Sequence, residues 1–268
     1  MKKIDMHHHL VEEHGYIDNL LHIMDKHEIE KSSLIGLGPL FKGLFVKNGH
    51  DGSCADDAAV EKVVRQHPDR FFGQGYIRLG VDNVTKVDEL YQRGFTGLKF
   101  HIPKQRYDTK AYFAVYEKAQ QYKMPCLFHS GIVAFPTPMP KERISSFNME
   151  PIHLEAVAQV FPELKIIIAH LGVQSYLTAL TLIRLFPNIY ADLSGTTPGW
   201  RANLTIADWK RLLWFPTAHE KILFGSDVHF SEIASNIKIY DKIASAAEWN
   251  MQMQQNLYYN NSRKLFKL

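Results

Sequence analysis

The sequence is poor in cysteine and has no long apolar run. Cys54 and Cys126 are the two cysteines among 268 residues, and they form no CxxC pair. Two isolated thiols are typical of a protein from a reducing compartment. No apolar stretch approaches the roughly 18 residues that cross a bilayer, and Met1–His9 lacks the apolar core of a signal peptide. These absences predict a cytoplasmic protein that does not enter a membrane.

Strong charge patterning is also absent. The formal net charge is +3 and 22% of the residues are charged. No block of lysine or arginine indicates binding to nucleic acid or to an anionic membrane. No linker, short repeat or low-complexity segment divides the chain. We therefore expect one domain over residues 1–268, with a small molecule as its partner and a homodimer left open.

Short apolar runs alternate with segments of helical spacing along the whole chain. The eight predicted strands are Lys3–His7, Ser33–Leu37, Phe71–Ile77, Thr96–His101, Pro125–His129, Leu164–His170, Asn188–Leu193 and Lys221–Ser226. Each is followed by a predicted helix, and this alternation indicates parallel strands joined by crossovers. Eight such units in this length predict the α/β class and a single-domain (β/α)8 TIM barrel.

Side chains that bind metal ions or move protons stand at the ends of these predicted strands. In a TIM barrel the carboxyl ends of the strands form the active site, so these side chains are expected to meet on one rim. They are His7 and His9 on the first strand, Lys99 and His101 on the fourth, His129 on the fifth, His170 on the sixth and Asp227 after the eighth. Imidazoles and a carboxylate suit Zn²⁺ and similar ions.

The first strand supplies two of these imidazoles through an HxH pattern. Side chains on a strand alternate between its faces, so His7 and His9 point one way and His8 points the other. A single histidine or aspartate at a strand end is more often a hydrogen-bonded or helix-capping residue than a ligand. The prediction of a metal site therefore depends on all of these residues occurring together, and His8 is expected to be structural.

These motifs resemble the amidohydrolase superfamily, in particular the amidohydrolase-related branch that includes aminocarboxymuconate semialdehyde decarboxylase. The resemblance covers most of the chain and is specific for superfamily and fold, but not for substrate. It rests on the segments Ile4–His9, Gly94–His101, Pro125–Gly131, Ile168–Gly172, Ile222–Asp227 and Asn261–Phe266.

The resemblance implies roles by position. His7, His9, His129 and Asp227 correspond to the ligands of one divalent metal ion, with Zn²⁺ expected and Mn²⁺ as the alternative. His170 corresponds to the histidine that orients or deprotonates the metal-bound water. Asp227 would share in that proton transfer, so His170 and Asp227 are the predicted catalytic residues.

Lys99 leaves an alternative open. In binuclear members of the superfamily a carboxylated lysine on the fourth strand bridges two metal ions, and His129 and His170 would then bind the second ion. The context of Lys99 favours the mononuclear branch, in which it would contact substrate. Arg78 and Arg201 are further candidates for binding a substrate carboxylate, although each alone is more often a solvated surface residue.

Two long loops are expected to shape the pocket. Gly38–Cys54 follows the second strand and could cover the site or pack against a partner subunit. Phe135–Phe147 is rich in proline and fits either a lid or a rigid surface loop.

Three functions are compatible with these residues. The leading one is a metal-dependent hydrolase, in which a metal-bound water attacks a carbonyl-type carbon of a small amide, lactone or related organic acid. The alternative is a metal-dependent non-oxidative decarboxylase of an unsaturated or aromatic acid. The third is a barrel that binds metal or ligand without catalysis, which is disfavoured because every ligand position of the family is filled.

Overall fold

The fold is a parallel sheet that curls into a TIM barrel. The computed structural model describes residues 1–38, 53–133 and 145–268. Within these ranges the strands are β1 (Lys3–Asp5), β2 (Val11–Glu12), β3 (Ile29–Ile35), β4 (Ser53–Cys54), β5 (Phe71–Ile77), β6 (Gly97–Phe100), β7 (Cys126–Phe128), β8 (Ile166–Ile168), β9 (Ile189–Asp192) and β10 (Ile222–Leu223). The main sheet has the order β1-β3-β5-β6-β7-β8-β9-β10, and every neighbouring pair in it is parallel.

Backbone hydrogen bonds join the two ends of this sheet. The amide of Met6 donates to the carbonyl of Phe224 at 3.0 Å, and the amide of Asp227 donates to the carbonyl of His7 at 2.7 Å. The residues that follow β1 therefore run beside those that follow β10. We call this contact, made by residues 6–7 and 224–227, the seam. It closes the predicted barrel.

Helices connect the barrel strands, as the alternating pattern predicts. In the described ranges they are α1 (Tyr16–Lys26), α2 (Asp57–Gln66), α3 (Thr85–Gln92), α4 (Phe113–Gln121), α5 (Leu154–Val160), α6 (Tyr176–Leu185), α7 (Ile206–Leu212), α8 (Ala218–Lys221), α9 (Ile233–Ala246), α10 (Met251–Gln255) and α11 (Asn261–Phe266). A π-helical turn over Asn256–Asn260 joins α10 to α11, so the predicted C-terminal helix changes its hydrogen-bond spacing midway.

Apolar side chains cover the strands from both sides. All three isoleucines of β8, Ile166–Ile168, are completely buried, as expected for a strand between helices and the barrel interior. Inside the barrel wall the rings of Phe100 and Phe128 stack with centroids 4.6 Å apart. Phe100 and Phe128 are also paired in the register of β6 and β7, so His101 and His129, which directly follow them, leave the sheet at the same level.

Six of the eight barrel strands are shorter than the sequence pattern predicts, whereas β5 has its predicted bounds and β3 begins earlier, at Ile29 rather than at Ser33. β1 ends at Asp5 rather than at His7, and β8 ends at Ile168 rather than at His170. His170 lies past the end of β8, where the chain turns into a loop of the rim, whereas the backbone beside His9 still pairs with Ile35 of β3. The pattern also misses a two-stranded antiparallel sheet, β2 with β4, which lies outside the barrel sheet.

The two predicted pocket loops, Gly38–Cys54 and Phe135–Phe147, lie mostly outside the described residues. Within the described ranges, none of the helices combines the length and the apolar character that crossing a bilayer requires.

Candidate metal centre

Three of the predicted ligands meet at the seam. Oδ1 of Asp227 lies 3.5 Å from Nε2 of His7 and 3.2 Å from Nε2 of His9. The three ligand atoms all lie within 4.8 Å of one another, and both histidines are buried. This grouping brings the HxH pattern of the first strand together with the aspartate that follows the last strand.

His8 lies on the opposite side of the chain. Its Nδ1 is 3.1 Å from the hydroxyl oxygen of Ser226, and its Nε2 is 2.8 Å from the hydroxyl oxygen of Tyr16. The ring is completely buried. His8 therefore contributes to the barrel wall, as the alternation of side chains predicts.

Asp227 enters the site through an uncommon backbone conformation. Its φ of 49° lies in the left-handed region, which costs a residue with a side chain about 1–3 kcal/mol. Burial alone would raise the pKa of the Asp227 carboxyl, but the imidazoles of His7, His9 and His170 hold it well below its usual range. The carboxylate is therefore anionic near neutral pH, which is the form that binds a cation.

A carboxylate that the sequence pattern does not single out stands behind His7. Asp192 is the last residue of β9 and is completely buried, and its Oδ2 lies 2.8 Å from Nδ1 of His7. Burial opposes its ionisation, but the contact with His7 keeps the pKa of Asp192 below its usual range. Burial also lowers the pKa of His7 to about 4. A neutral His7 therefore donates Nδ1–H to Asp192, which leaves the lone pair of Nε2 for a ligand.

His170 follows β8 at the start of a left-handed turn. The φ angles are positive from His170 through Val173, a conformation that residues with side chains rarely adopt. The Nδ1 of His170 lies 2.9 Å from the hydroxyl oxygen of Ser194 and 3.6 Å from Oδ2 of Asp227. Burial lowers the pKa of His170, so the imidazole is neutral near pH 7 and can accept a proton.

His129 lies next to this group without joining the tight cluster of ligand atoms. Its ring centroid is 5.0 Å from that of His170 and 3.9 Å from that of His101. Burial lowers the pKa of His129 and of His101 well below the usual range, so both rings are neutral. Nε2 of His129 is buried and has no hydrogen-bond partner in the described part of the chain. Such a nitrogen requires an explanation, and coordination of an ion supplies one.

Lys99 reaches the same space from β6. Its Nζ lies 2.9 Å from Nε2 of His7, and the residue is 1% exposed. Burial lowers the pKa of Lys99 to about 8, so most of it carries a positive charge at pH 7. A metal ion on His7 would take the lone pair that Lys99 now contacts, and Lys99 would then need another partner.

The two arginines differ in their surroundings. Arg201 is 3% exposed, and its guanidinium donates to the carbonyls of Leu193 at 2.9 Å and Gly195 at 2.7 Å. It is therefore not a solvated surface residue, because it supports the loop after β9 from inside. Nε of Arg78 donates to the carbonyl of Ile102 at 3.3 Å. Substrate binding by either arginine stays a prediction.

The donor set fits a divalent transition-metal ion. His7 and His9 offer imidazole nitrogens, Asp227 offers an anionic oxygen, and His129 has a buried nitrogen without a partner. Mixed nitrogen and oxygen donors of this kind suit Zn²⁺ and its neighbours. Asp192 adds the outer carboxylate that typically accepts a hydrogen bond from a metal-binding histidine.

A TIM barrel that gathers imidazoles and carboxylates at the carboxyl ends of its strands has the architecture of a barrel enzyme. The family model described as Amidohydrolase matches residues 4–268. The chain belongs to this family, as its motifs predict. No curated protein matches the sequence.

Several solved structures share the fold over nearly the whole chain. The 5-carboxyvanillate decarboxylase of Sphingomonas paucimobilis is 14% identical, with 100% of this chain and 99% of that chain covered and a TM-score of 0.66. The same enzyme from Novosphingobium aromaticivorans, solved with manganese, is 16% identical over 92% and 79% of the chains, with a TM-score of 0.61. A 4-oxalomesaconate hydratase of Rhodopseudomonas palustris is 15% identical over 95% and 82%, with a TM-score of 0.57. At these identities the likeness establishes the fold.

Proposed function

We propose that this protein is a metal-dependent hydrolase that acts on a small amide, lactone or related organic acid. The observation that supports this most is the convergence of His7, His9 and Asp227 at the seam with His170 beside them. His7, His9 and Asp227 would hold one divalent ion, with Zn²⁺ favoured over Mn²⁺, and His129 would complete the set. When bound, such an ion polarises a carbonyl and lowers the pKa of water toward neutrality.

The residues around this position divide the proton transfers between them. Asp227 is anionic and lies within the cluster, so its carboxylate accepts the proton of the attacking water. The proton then passes to the leaving group, and His170, which is neutral and lies beside Asp227, can relay it through Nε2. Burial of the histidines keeps bulk water from competing for the same groups.

A non-oxidative decarboxylase is the second candidate, and Lys99 is the observation that favours it. A buried ammonium group beside the ligands suits a substrate that carries a carboxylate. Two of the structures that share the fold are decarboxylases of a carboxylated aromatic acid, which gives a defined substrate class for comparison.

Metal analysis of the purified protein tests the site. We expect about one Zn²⁺ or Mn²⁺ per chain, as in single-ion catalytic sites, and loss of most of it in His7→Ala and in Asp227→Asn. The matched control is His14→Ala, which removes an exposed imidazole from the same segment and should retain the metal. Unchanged metal content in both site variants would refute the proposed centre. Two ions per chain would instead support a bridging, carboxylated Lys99.

Product analysis separates the two reactions. The metal-loaded protein would be incubated with a panel of lactones, amides and carboxylated aromatic acids. Hydrolytic products that are lost in Asp227→Asn support the hydrolase. Release of CO₂ from an aromatic acid without hydrolysis of any ester or amide would replace the hydrolase by the decarboxylase.

A further inference from the structure

A buried hydrogen-bond chain connects the ligand His7 with the base His170. It consists of Asp192 at the end of β9 and Ser194 two residues later, both completely buried. Oδ2 of Asp192 lies 2.8 Å from Nδ1 of His7, and Oδ1 lies 2.5 Å from the hydroxyl oxygen of Ser194. That hydroxyl oxygen lies 2.9 Å from Nδ1 of His170. One carboxylate therefore reaches both imidazoles, directly on one side and through a hydroxyl on the other.

The protons of this chain can be assigned from the number of donors. An anionic carboxylate accepts only, so the single hydroxyl proton of Ser194 must point to Asp192. The hydroxyl oxygen is then an acceptor toward His170, whose Nδ1 must carry a proton to complete the bond. His7 must likewise carry its proton on Nδ1 to bond Oδ2 of Asp192. Both rings are fixed in the same tautomer.

The opposite nitrogens, Nε2 of each ring, consequently carry the lone pairs. The lone pair of Nε2 in His7 faces Asp227 and Lys99 in the candidate centre. Nε2 of His170 makes no hydrogen bond within the described residues, so its lone pair is available to substrate or water. A neutral histidine in the other tautomer would present N–H at these positions, and it could neither bind a metal ion nor accept a proton there.

Further hydrogen bonds fix the orientation of the Asp192 carboxylate, which in turn fixes the two tautomers. Besides the two side-chain contacts, Oδ1 accepts the amide of His170 at 2.8 Å and the amide of Ser194 at 2.9 Å. Four hydrogen bonds to two oxygens leave the carboxylate no alternative rotamer that would keep them satisfied. The backbone after β8 and the backbone after β9 are thereby tied to the same group.

We propose that Asp192 and Ser194 are positioning residues that fix His7 as a ligand and His170 as a base through one shared carboxylate. The inference rests on the proposed function for the roles of the two histidines. The two residues have different roles. Ser194 fixes the tautomer of His170, whereas Asp192 fixes the tautomers of both rings, directly for His7 and through Ser194 for His170. A general stabilising role would not separate the two histidines in this way.

The ¹⁵N NMR shifts of the imidazole nitrogens test the proposal in metal-free protein, with His7 and His170 assigned by substitution. Both rings should show the Nδ1–H tautomer in the wild type. Ser194→Ala should shift only His170 to a tautomer mixture, because His7 keeps its 2.8 Å contact although the Ser194 hydroxyl lies 3.2 Å from its Nδ1. Asp192→Asn should shift both rings, Ser194→Thr should restore the wild-type pattern, and His8 should not respond in any variant. An unchanged His170 in Ser194→Ala would overturn the proposal.

Metal affinity, measured by competition with a chromophoric chelator, gives a second and separate readout. Asp192→Asn should weaken Zn²⁺ binding about 10- to 100-fold, the usual loss for an outer-sphere carboxylate, whereas Ser194→Ala should leave it almost unchanged. With a substrate in hand, Ser194→Ala should lower kcat with little effect on KM. Equal loss of affinity in both variants would contradict the assignment. If Asp192→Asn does not fold, the comparison of Ser194→Ala with Ser194→Thr still tests the proposal. If the wild-type protein shows the expected tautomers but turns over none of the substrates in the panel, the proposed function is refuted and this inference stands.

Discussion

At the scale of single residues, the burial of Asp57 makes the stability of the protein depend on pH. Its side chain is 14% exposed at the first turn of α2, where Oδ1 accepts the amide of Tyr76 at 3.0 Å and Oδ2 lies 3.9 Å from Nζ of Lys86. Burial raises the pKa of Asp57 to about 6, although the Tyr76 amide and the Lys86 charge partly offset the effect. The folded protein therefore holds this proton to a higher pH than the unfolded chain does.

Asp57→Asn should remove that dependence. Since the folded-state pKa lies above the unfolded one, the contribution of Asp57 to the free energy of unfolding falls as the pH rises from about 4 to about 6. The variant keeps the acceptor for Tyr76 and carries no charge, so its stability relative to wild type should rise over this range by on the order of 1–3 kcal/mol. Urea denaturation at pH 4.5 and pH 7 measures the difference. Asp69→Asn, at an exposed carboxyl, should show none, and a constant difference for Asp57→Asn would contradict the argument.

For single residues, the sequence predicts which side chains belong to the candidate site better than it predicts their hydrogen-bond partners. His7, His9 and Asp227 are recognisable because the HxH pattern and the final strand end are local features. The role of Asp192 cannot be predicted from the sequence. An aspartate at the end of a strand gives the same pattern whether it caps a helix or accepts a hydrogen bond from a histidine. Arg201 reads as a surface residue for a similar reason, since the carbonyls that it binds belong to a loop whose path the pattern does not predict.

At the scale of elements, α7 begins with a complete capping box. The hydroxyl of Thr205 accepts the amide of Asp208 at 3.2 Å, and the Asp208 carboxylate accepts the amide of Thr205 at 2.9 Å. Both bonds satisfy amides that a helix of seven residues could not otherwise pair. This start is visible in the sequence, where Thr205 and Asp208 are three residues apart.

Thr205→Ala should therefore destabilise the protein by about 1 kcal/mol. Thr181→Ala is the comparison, because that exposed hydroxyl bonds to the carbonyl of Leu177 inside α6 and its loss should cost less than half as much. Chemical denaturation at equilibrium measures both. A loss of stability in Thr181→Ala as large as in Thr205→Ala would show that the cap contributes nothing special.

The elements of the rim are less predictable than this cap. The turn after β8 requires left-handed conformations at His170 and Leu171, and a leucine is rarely found in that conformation. Local propensity therefore predicts where β8 and α6 exist but not how the chain passes between them. Asp192 at the end of β9 accepts a hydrogen bond from the His170 amide, and this contact with another strand stabilises the turn.

At the scale of the whole molecule, Gly225 keeps the seam closed. A Cβ atom at this position would lie 2.7 Å from Cβ of His7 and 3.4 Å from Oδ2 of Asp192. The close approach of the two chain segments thus requires a residue without a side chain. The position of His7 in the candidate centre depends on it.

Gly225→Ala should accordingly reduce metal affinity by at least about tenfold, the loss expected when a ligand is displaced from its supporting partner, and should also lower stability. Gly94→Ala is the matched control, because its φ of +90° makes any side chain costly while no atom lies within 4 Å of the added Cβ. It should lower the free energy of unfolding and leave metal affinity unchanged. Chelator competition and urea denaturation distinguish the two effects, and equal affinity in both variants would refute the role of Gly225.

The seam also joins parts of the chain that are far apart in sequence. Its backbone hydrogen bonds connect residues 6–7 with residues 224–227, so the candidate ligands come together only when this long loop has closed. A partly folded chain would hold His7 and His9 without Asp227 and would capture an ion weakly. Tight binding should therefore require a closed seam, and a bound ion should slow any unfolding route that opens this contact.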